Sequence, residues 1–334
     1  MTAKGKIFLI AGLGSVGRRH LRNLLSLGYV REDIILYRTG QGTLSDDELA
    51  GFEVFHDLDE ALKRRPAAVV ISNPTSLHIP TAIASAKIGC NLFIEKPLSH
   101  NMEGIEELEY EVKRQHLSVL AGFMFRFHPG FCKIKKWLQE QAIGNLLWVQ
   151  AHWGEFLPDW HPWEDYKISY SARPGLGGGV VLTLCHPYDY LRWFCGNVES
   201  VSAVTSNSGL GMDVEDTAEA ILRFKSGVTG NVHINYIERP AEHYLRIIGQ
   251  KGVIKWDNRD GAAHLYQAET DKWTKYEVPQ GFERNTMFVD EMRHFTECLN
   301  GRDTPVCTLE DGVAALRIAI AVKLSAQQRR EISV

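Results

Sequence analysis

The fold is decided by the stretch Gly12-Leu13-Gly14-Ser15-Val16-Gly17. It follows an apolar run, Lys6–Ala11, and it leads into apolar residues at helical spacing over Gly17–Leu27. In such a strand–turn–helix unit, the first glycine allows a tight turn, the second lets the backbone approach a pyrophosphate, and the third permits close packing of helix on strand. The helix N-terminus then stabilises the phosphate charge. The sequence predicts a dinucleotide-binding loop, with an ordinary glycine-rich turn as the alternative.

The second predicted strand, Ile34–Tyr37, bears on the choice of cofactor. Sites that prefer NAD usually place a carboxylate about 20 residues beyond the glycine loop, where it bonds the ribose 2′-hydroxyl. Here the strand is followed by Arg38 and Thr39, which could instead bind a 2′-phosphate. Arg38 could equally stack over the adenine face. The sequence therefore favours NADP and leaves NAD open.

The pattern of strands and helices changes near residue 122. Before it, short apolar runs alternate with helical patterns, which predicts a parallel sheet covered on both faces. After it, strand candidates are longer and alternate apolar with polar residues, and Lys225-Ser226-Gly227 and Arg259-Asp260-Gly261 resemble hairpin connections. We expect an α/β chain, with a Rossmann dinucleotide-binding domain at 1–122. An α+β domain at 123–334, with an open and mostly antiparallel sheet, should serve substrate binding and oligomerisation.

Length and composition narrow the class of protein. The 334 residues suffice for two domains at roughly 100–200 residues each. A net charge of -4 without a basic stripe argues against a nucleic-acid partner. The six cysteines form no C-x-x-C pair and no zinc-type spacing, which predicts reduced thiols and no metal site. No apolar span of about 20 residues occurs, so we expect a cytoplasmic protein without a membrane partner.

Further motifs follow the glycine loop in a particular order. They are Arg18-Arg19-His20, Asn73-Pro74-Thr75 with His78, Glu95-Lys96-Pro97, Arg126-Phe127-His128-Pro129, Gly177-Gly178-Gly179, and His186 with Asp189. Together they resemble the Gfo/Idh/MocA family of NAD(P)-dependent oxidoreductases over essentially the whole chain. The resemblance implies a Rossmann domain, an open-faced mixed sheet, and pyranose-like or polyol substrates. The stretch from Trp160 to Arg173 is similar to members that act on sugars of bacterial surface glycans.

Lys96 is the first candidate for proton transfer. Pro97 disfavours a helical conformation at Lys96, which follows the predicted strand Asn91–Ile94 at the edge where open α/β sheets bind ligands. Partial burial beside a positively charged nicotinamide lowers the pKa of a lysine. Lys96 could then exchange a proton with a substrate hydroxyl during hydride transfer, with Glu95 orienting or neutralising it. A surface lysine at a strand end is the alternative.

His186 is the second candidate, because the usual pKa of histidine, about 6.5, lies near working pH. Asp189 follows three residues later and could orient the imidazole or bond a sugar hydroxyl. Many members of the family carry an Asp one turn before this histidine, where the present chain has Leu182 and Thr183. A threonine hydroxyl can bond a substrate hydroxyl but is no base at neutral pH. Proton transfer is therefore expected from Lys96 and His186, although His186 could be a core histidine.

Other residues are expected to contact cofactor or substrate. Aromatic side chains stack on sugar rings, and several occur close together here, with an interface or a structural plug as the alternative; they are Trp153, Trp160, Trp163, Tyr166 and Tyr170. The predicted cofactor-binding residues are Gly12, Gly14, Ser15, Val16, Gly17, Arg38, Thr39, Asn73, Pro74, His78, Glu95 and Lys96. The predicted substrate-binding residues are Arg126, His128, Trp160, Trp163, Tyr166, Thr183 and Asp189.

These features predict an NAD(P)-dependent oxidoreductase, a sugar dehydrogenase or ketosugar reductase. It would move hydride to or from a ring carbon of a sugar, nucleotide sugar or polyol. An NAD-dependent glycosidase, which oxidises a sugar so that its glycosidic bond can be eliminated, is one alternative. A non-catalytic dinucleotide-binding regulator is another, although it would need neither Lys96 nor His186. An open sheet with an apolar face further predicts a homodimer or homotetramer.

Overall fold

The computed structural model describes residues 8–40, 45, 47–162 and 164–334. Lys6 and Ile7, the predicted start of the first strand, lie outside this range. The chain divides into two units, Met1–Met124 with Glu283–Val313 and Phe125–Phe282 with Ala314–Val334. Among the described residues, no helix is long and apolar enough to cross a membrane.

The first unit contains a parallel sheet of six strands in the order β3-β2-β1-β4-β5-β6. Its elements are β1 (Phe8–Ala11), α1 (Ser15–Ser26), β2 (Ile34–Tyr37), β3 (Glu53–Phe55), α2 (Leu58–Leu62), β4 (Ala68–Ile71), α3 (His78–Lys87), β5 (Asn91–Glu95), α4 (Ile105–Arg114) and β6 (Val119–Gly122). Strands β1, β4 and β6 are buried throughout, as expected for a sheet covered on both faces. The strand order reverses at β1 and β4, where such sheets bind ligands at their carboxyl ends. The predicted Rossmann domain is confirmed.

The second unit contains a sheet of nine strands in the order β14-β13-β12-β11-β7-β10-β9-β8-β15. Within this sheet, only the β7–β10 pair is parallel among the described strands, which confirms the mostly antiparallel sheet. Its elements up to residue 276 are α5 (Pro129–Gln139), β7 (Leu146–Phe156), α6 (Val180–Thr183), α7 (His186–Cys195), β8 (Val198–Ser206), β9 (Thr217–Phe224), β10 (Thr229–Asn235), β11 (Ile237–Gly249), β12 (Gly252–Asp257), β13 (Ala263–Gln267) and β14 (Lys272–Tyr276). Both predicted hairpin connections join antiparallel neighbours, β9 to β10 and β12 to β13.

The two faces of this second sheet differ in polarity. On β7, Val149, Ala151 and Trp153 are buried on one face. On the other face, a row of polar side chains crosses four strands in register, and it consists of Glu219, His233, His152 and Tyr244. The face is mixed in polarity, because Ile221 and Val204 beside this row are 58% and 67% exposed, and the expected oligomer contact there stays a prediction.

The C-terminal elements explain why the two units differ from the two domains predicted with a single boundary after residue 122. They are α8 (Arg284–Leu299), α9 (Leu309–Gln328) and β15 (Ile332–Ser333). Helix α8 belongs to the first unit, because Phe295 packs edge-on against Phe93 with 5.7 Å between ring centroids. β15 instead pairs with β8 in the second unit. The expected domain 123–334 thus differs from the second unit by residues 123–124 and by the segment Glu283–Val313, both of which belong to the first unit.

Candidate active site

The glycine loop joins β1 to α1 with little room for larger residues. Gly12 has a φ of +98°, and a Cβ there would lie 2.3 Å from the Asn73 nitrogen. A Cβ at Gly17 would lie 2.0 Å from the Gly12 oxygen. At Gly14, the N-cap of α1, a Cβ would meet no atom within 4 Å. The first and third glycines therefore serve packing, and the second leaves open space at the helix N-terminus.

This loop fits a dinucleotide by its donor chemistry. Among the described residues, no side chain caps α1, and its first turn carries no acidic residue. The first N–H groups of a helix have no partner within the helix, and with the helix dipole they favour an anion such as a phosphate. Ser15, Val16 and Gly17 form this first turn, so their placement agrees with the predicted pyrophosphate site.

Hydrogen bonds tie the loops at the carboxyl ends of β1, β4 and β5 to one another. The Ser72 hydroxyl donates to the Gly12 oxygen at 2.9 Å. His78 places Nε2 2.8 Å from the Asn73 oxygen and Nδ1 2.9 Å from the Pro97 oxygen. Burial lowers the pKa of His78, so the neutral ring donates to one of these oxygens at a time. His78 thus braces the Asn73-Pro74 loop against Pro97, and the Lys96–Pro97 peptide is cis.

Glu95 holds the backbone of Lys96 in place. His20 Nε2 lies 2.7 Å from Glu95 Oε1, and both side chains are buried, at 0% and 8% exposure. The other oxygen, Oε2, accepts the Lys96 backbone N–H at 3.1 Å. Burial raises the pKa of Glu95, but hydrogen bonding and charge from His20, together with the Lys96 charge, outweigh it and leave this pKa lowered. Glu95 is therefore an anionic anchor for the half-buried Lys96 at the end of β5.

Arg38 and Thr39 follow β2 at the same edge of the first sheet. Arg38 is half-buried and Thr39 is exposed. The Arg38 backbone is fixed on both sides, because its N–H donates to the Phe55 oxygen at 3.0 Å and its oxygen lies 2.9 Å from His56 Nδ1. The end of β3 thus holds Arg38 in place, and its choice between phosphate and adenine stays a prediction.

In the second unit, His186 begins α7 and is buried against aromatic rings. Trp153 stacks on His186 with 5.2 Å between centroids, and it also stacks on His243 at 4.2 Å. Phe125 packs edge-on against both imidazoles. Trp153 is 5% exposed. It therefore orders two histidines and is not available as a platform for a sugar ring.

Asp189 pairs with Arg126. The guanidinium donates through Nε to Oδ2 at 3.0 Å and through a terminal nitrogen to Oδ1 at 2.7 Å. The two side chains are 4% and 1% exposed. Arg126 also lies over the Trp193 ring at 5.0 Å. These contacts join two predicted substrate-binding residues to each other, and the roles expected of Asp189 towards His186 or a sugar hydroxyl stay predictions.

His128 is the N-cap of α5. Its Nδ1 accepts the Gly130 N–H at 3.0 Å, and its ring is 3% exposed among Phe125, Trp256 and Phe282. Burial lowers the pKa of His128 to about 4. The ring is therefore neutral at pH 7 and starts a helix, which is a structural role that sequence reasoning had not assigned.

The aromatic segment is only partly brought together. Trp160 is half-buried and packs edge-on against Tyr236 with 5.5 Å between centroids. The Tyr166 hydroxyl donates to the Leu210 oxygen at 3.1 Å. Trp163 lies outside the described residues. Thr183 ends α6 and is 2% exposed.

One group of side chains could hold a metal ion by its geometry, although the sequence predicts no metal site. In the part of the chain that the structure describes, ligand atoms of His152, Glu238 and Glu242 lie within 4.8 Å of one another. His152 Nε2 lies 2.8 Å from Glu238 Oε2, and Glu242 accepts from Arg259 at 2.7 Å. Protein partners therefore already satisfy these groups, and we assign no metal to them.

Sequence reasoning missed several residues that fix the loops of the first unit or the aromatic rings of the second. Ser72, Trp153 as a histidine platform, and Tyr236 carry no local motif of their own. His20 was noted only as part of the motif after the glycine loop. Its position one turn beyond Gly17 on α1 was the available signal, because that face of the helix turns towards the sheet.

Models of one protein family match both halves of the chain. A model described as "Oxidoreductase family, NAD-binding Rossmann fold" matches residues 6–123, and one described as "GFO/IDH/MocA C-terminal domain" matches residues 131–255.

Relatives and solved structures agree with this result. Myo-inositol 2-dehydrogenase of Thermotoga maritima is 26% identical and covers 97% of each chain. The scyllo-inositol 2-dehydrogenase (NAD(+)) of Bacillus subtilis is 26% identical over 93% of this chain and 91% of its own. Levoglucosan dehydrogenase in complex with NADH and levoglucosan has a TM-score of 0.87 at 20% identity, covering 98% of this chain and 99% of its own. The WlbA dehydrogenase from Bordetella pertussis, in complex with NADH and UDP-GlcNAcA, has a TM-score of 0.83 at 21% identity, over 98% and 99%. At these identities, the two structures show a shared fold.

Proposed function

The chain belongs to the Gfo/Idh/MocA family of NAD(P)-dependent oxidoreductases, and from that premise we propose that it acts on a ring carbon of a sugar, nucleotide sugar or polyol. In the oxidative direction, a carbinol would lose its hydride and its hydroxyl proton and become a ketone. In the reductive direction, the same carbon would regain both. When bound, the nicotinamide supplies the hydride acceptor or donor.

The observation that carries the proposal is the anchoring of Lys96. Its backbone N–H is held by a buried, anionic Glu95, which in turn is held by His20. The side chain stands at the carboxyl end of β5, half-buried, at the sheet edge that binds ligands in this fold. In the proposal, Lys96 exchanges the proton of the reacting hydroxyl, and Glu95 orients its backbone without taking a proton.

His186 is the second proton-transfer residue in the proposal. Stacking on Trp153 fixes the plane of its ring at the start of α7. An imidazole held in this way transfers protons without first being oriented, which is a requirement for general acid–base catalysis. Leu182 and Thr183 stand where many family members carry an Asp, so the Thr183 hydroxyl would contribute a hydrogen bond and no base.

The proposed cofactor is NADP, with NAD as the alternative. Arg38 and Thr39 directly follow β2, and no carboxylate stands there to bond a ribose 2′-hydroxyl. A half-buried guanidinium with a fixed backbone suits a bidentate contact to a 2′-phosphate.

The experiment is a turnover screen read at the absorbance of reduced nicotinamide. The protein is mixed with NADP⁺ or NAD⁺ and with myo-inositol, scyllo-inositol, levoglucosan or UDP-GlcNAcA. We expect reduced nicotinamide to form with at least one of them, and kcat/KM to be higher with NADP⁺. Net glycoside hydrolysis without net reduction would favour the oxidation–elimination glycosidase, and cofactor binding without any turnover would favour a regulator.

Assembly is proposed separately. The open face of the second sheet, which carries the polar row of Glu219, His233, His152 and Tyr244, would be the contact of a homodimer or homotetramer. Light scattering after gel filtration tests this, and a monomeric mass well above micromolar concentration contradicts it.

A further inference from the structure

Glu155 is a half-buried carboxylate next to the end of β7. Successive side chains of a strand point to opposite faces of the sheet. Gly154 faces the polar row, because a Cβ on it would lie 1.6 Å from Glu238 Oε2, which is bonded to His152 of that row. Glu155 therefore lies on the opposite face, together with Trp153.

One hydrogen bond orients the Glu155 carboxylate. Trp153 Nε1 donates to its Oε1 at 2.8 Å, and the same indole ring stacks on His186 with 5.2 Å between centroids. A carboxylate has about four acceptor positions on its two oxygens. In the part of the chain that the structure describes, Trp153 is the one hydrogen-bond donor to them. Glu155 is thus held beside the ring that orders His186, with acceptor positions left over.

Glu155 differs in this respect from Asp189, the carboxylate that follows His186 on α7. Both oxygens of Asp189 accept hydrogen bonds from Arg126, and its side chain is 1% exposed. Glu155 forms no ion pair with a described residue, and it is only half-buried. A molecule from solvent can therefore reach Glu155, whereas the Asp189 carboxylate is already occupied.

The charge of Glu155 also acts on Tyr236. Burial raises the pKa of Tyr236 well above its usual value of 10. A hydrogen bond with the Thr183 side chain opposes this rise, and the charges of nearby groups, Glu155 among them, add to it. Thr183 ends α6, just before His186 begins α7. Glu155 from β7 and Thr183 from α6 therefore approach the same phenol, close to the start of α7.

The chemistry of a carboxylate indicates which ligand suits this position. A hydroxyl that donates to an ionised carboxylate forms a short hydrogen bond, roughly twice as strong as one between neutral groups. A carboxylate repels a second carboxylate, so it discriminates against a sugar acid placed beside it. Glu155 is therefore suited to an uncharged ring that carries hydroxyls.

We infer that Glu155 binds the substrate, and that its carboxylate accepts hydrogen bonds from the hydroxyls of an uncharged sugar or polyol ring beside His186. The inference rests on the proposed function for the presence of a sugar-like substrate. It assigns to Glu155 a role in binding and specificity, and no proton passes through it.

The test compares Glu155→Gln with Glu242→Gln. The first substitution removes the charge but keeps a side-chain oxygen that can accept the Trp153 N–H. Glu242 is a matched control, because it is also half-buried and accepts from one side chain, Arg259, at 2.7 Å. It lies opposite Gly154 on β11, on the face with the polar row.

The readouts separate binding from chemistry. We would measure kcat and KM with NADP⁺ for myo-inositol, scyllo-inositol, levoglucosan and UDP-GlcNAcA, and for the monodeoxy analogues of the best uncharged ring. The thermal unfolding midpoint is measured with NADP⁺, with and without each of these compounds. The midpoint without sugar shows whether each variant is folded.

For Glu155→Gln, we expect kcat/KM with the uncharged rings to fall about 10–100-fold, because a hydrogen bond to a charged group is lost. The fall should lie mainly in KM, since this bond forms in the ground state as well as in the transition state. Discrimination against one monodeoxy analogue should shrink by a similar factor. We expect no fall with UDP-GlcNAcA, and for Glu242→Gln we expect values close to wild type with every compound.

Three results would overturn the inference. If Glu155→Gln keeps the KM and the deoxy discrimination of the wild type, the carboxylate does not contact the ring, and any change in kcat arises through Trp153 and His186. An equal rise in KM in Glu242→Gln would mean that the effect is not specific to Glu155. Turnover of UDP-GlcNAcA alone would exclude an uncharged ring.

Failure of the proposed function gives a different result. If no compound is turned over, yet an uncharged ring raises the unfolding midpoint of the wild type and not of Glu155→Gln, the binding role stands and the proposed reaction fails. If no compound is turned over and none shifts the midpoint of the wild type, both are overturned.

Discussion

Replacing His20 by Leu should destabilise the first unit strongly, because it leaves the Glu95 carboxylate buried without its partner. The two side chains are 0% and 8% exposed, and their 2.7 Å contact is enclosed by Phe93 and Phe288. Removing the side-chain partner of a buried carboxylate leaves its charge uncompensated, which costs about 3–5 kcal/mol. The alternative, protonating the carboxylate, leads to a similar value. Keeping a Glu of usual pKa, about 4.3, neutral at pH 7 costs about 3–4 kcal/mol at 1.36 kcal/mol per pH unit.

The second unit offers a matched control for this substitution. His233 Nδ1 lies 2.8 Å from Glu219 Oε2, nearly the same separation, but the side chains are 30% and 42% exposed. An exposed pair contributes only about 0.2–1 kcal/mol. Comparing His20→Leu with His233→Leu therefore shows how much burial contributes to the loss of stability when the contact distance is nearly the same.

The assay can follow each unit separately. All eight tryptophans fall within Phe125–Phe282, so tryptophan fluorescence reports on the second unit, whereas far-ultraviolet circular dichroism reports on both. In urea titrations at pH 7, His20→Leu should lose about 3–5 kcal/mol in the transition seen by circular dichroism. Equal losses in the two variants, or a loss below about 1 kcal/mol in His20→Leu, would refute the reasoning.

The pH dependence has a defined sign. The pKa of Glu95 is lowered in the folded state, so its stabilising contribution is present above the pKa of the unfolded chain and is lost as pH falls through the folded pKa. The gap in stability between wild type and His20→Leu should therefore narrow as the pH falls below about 4.3, the usual value for Glu, towards about 3. A gap that stays constant over this range contradicts an ionised Glu95.

Three further predictions concern other residues. Arg38→Asp should shift the ratio of kcat/KM from NADP⁺ towards NAD⁺, and no shift would mean that Arg38 does not contact the 2′ position. His128 has a pKa of about 4 when folded, so the unfolded chain binds its proton first and stability falls as pH drops from about 6.5 to 4. His128→Asn, which keeps a side-chain cap, should flatten this part of the stability profile, and an unchanged slope would place the titration elsewhere. Asp189→Asn should lower stability by about 3–5 kcal/mol in urea titrations, since Arg126 is left buried without a carboxylate, whereas a change below about 1 kcal/mol would contradict a tight pair.

The elements that sequence patterns predicted well were those buried on both sides. Strands β1, β2 and β4 are continuous apolar runs that alternate with helical patterns along the chain. Each can therefore be recognised from its own few residues. The patterns missed β3 and β14, whose residues are mostly exposed and carry little apolar periodicity. These two strands form at the sheet edges through pairing with a neighbour, which local sequence does not display.

Helix α8 was missed for a different reason. Met287, Met292 and Phe295 are spaced as one buried face of a helix, so the pattern was present in the sequence. No local pattern shows that this face packs against the first sheet, because α8 begins almost 200 residues after β5. The expected boundary at residue 122 therefore could not include Glu283–Val313.

Some residues of the candidate site could be predicted from the sequence and others could not. Lys96, His186 and the glycine loop are identifiable because a motif places each at a strand end or a helix start. The partner of Asp189 could not be identified from the sequence, because Arg126 lies 63 residues away and only the packing of α7 brings the two side chains together. Trp153 resembled a sugar platform in the sequence, yet its place on the buried face of β7 turns it towards two histidines.

The most direct test of the central claim is the turnover of Lys96→Ala with the best sugar from the screen, measured beside the cofactor dissociation constant of the same variant. Loss of an acid–base group lowers kcat by about 10²–10⁴-fold, and we predict this loss with cofactor binding close to that of the wild type. Near-normal turnover in Lys96→Ala would contradict the assignment of Lys96 as the residue that exchanges the substrate proton.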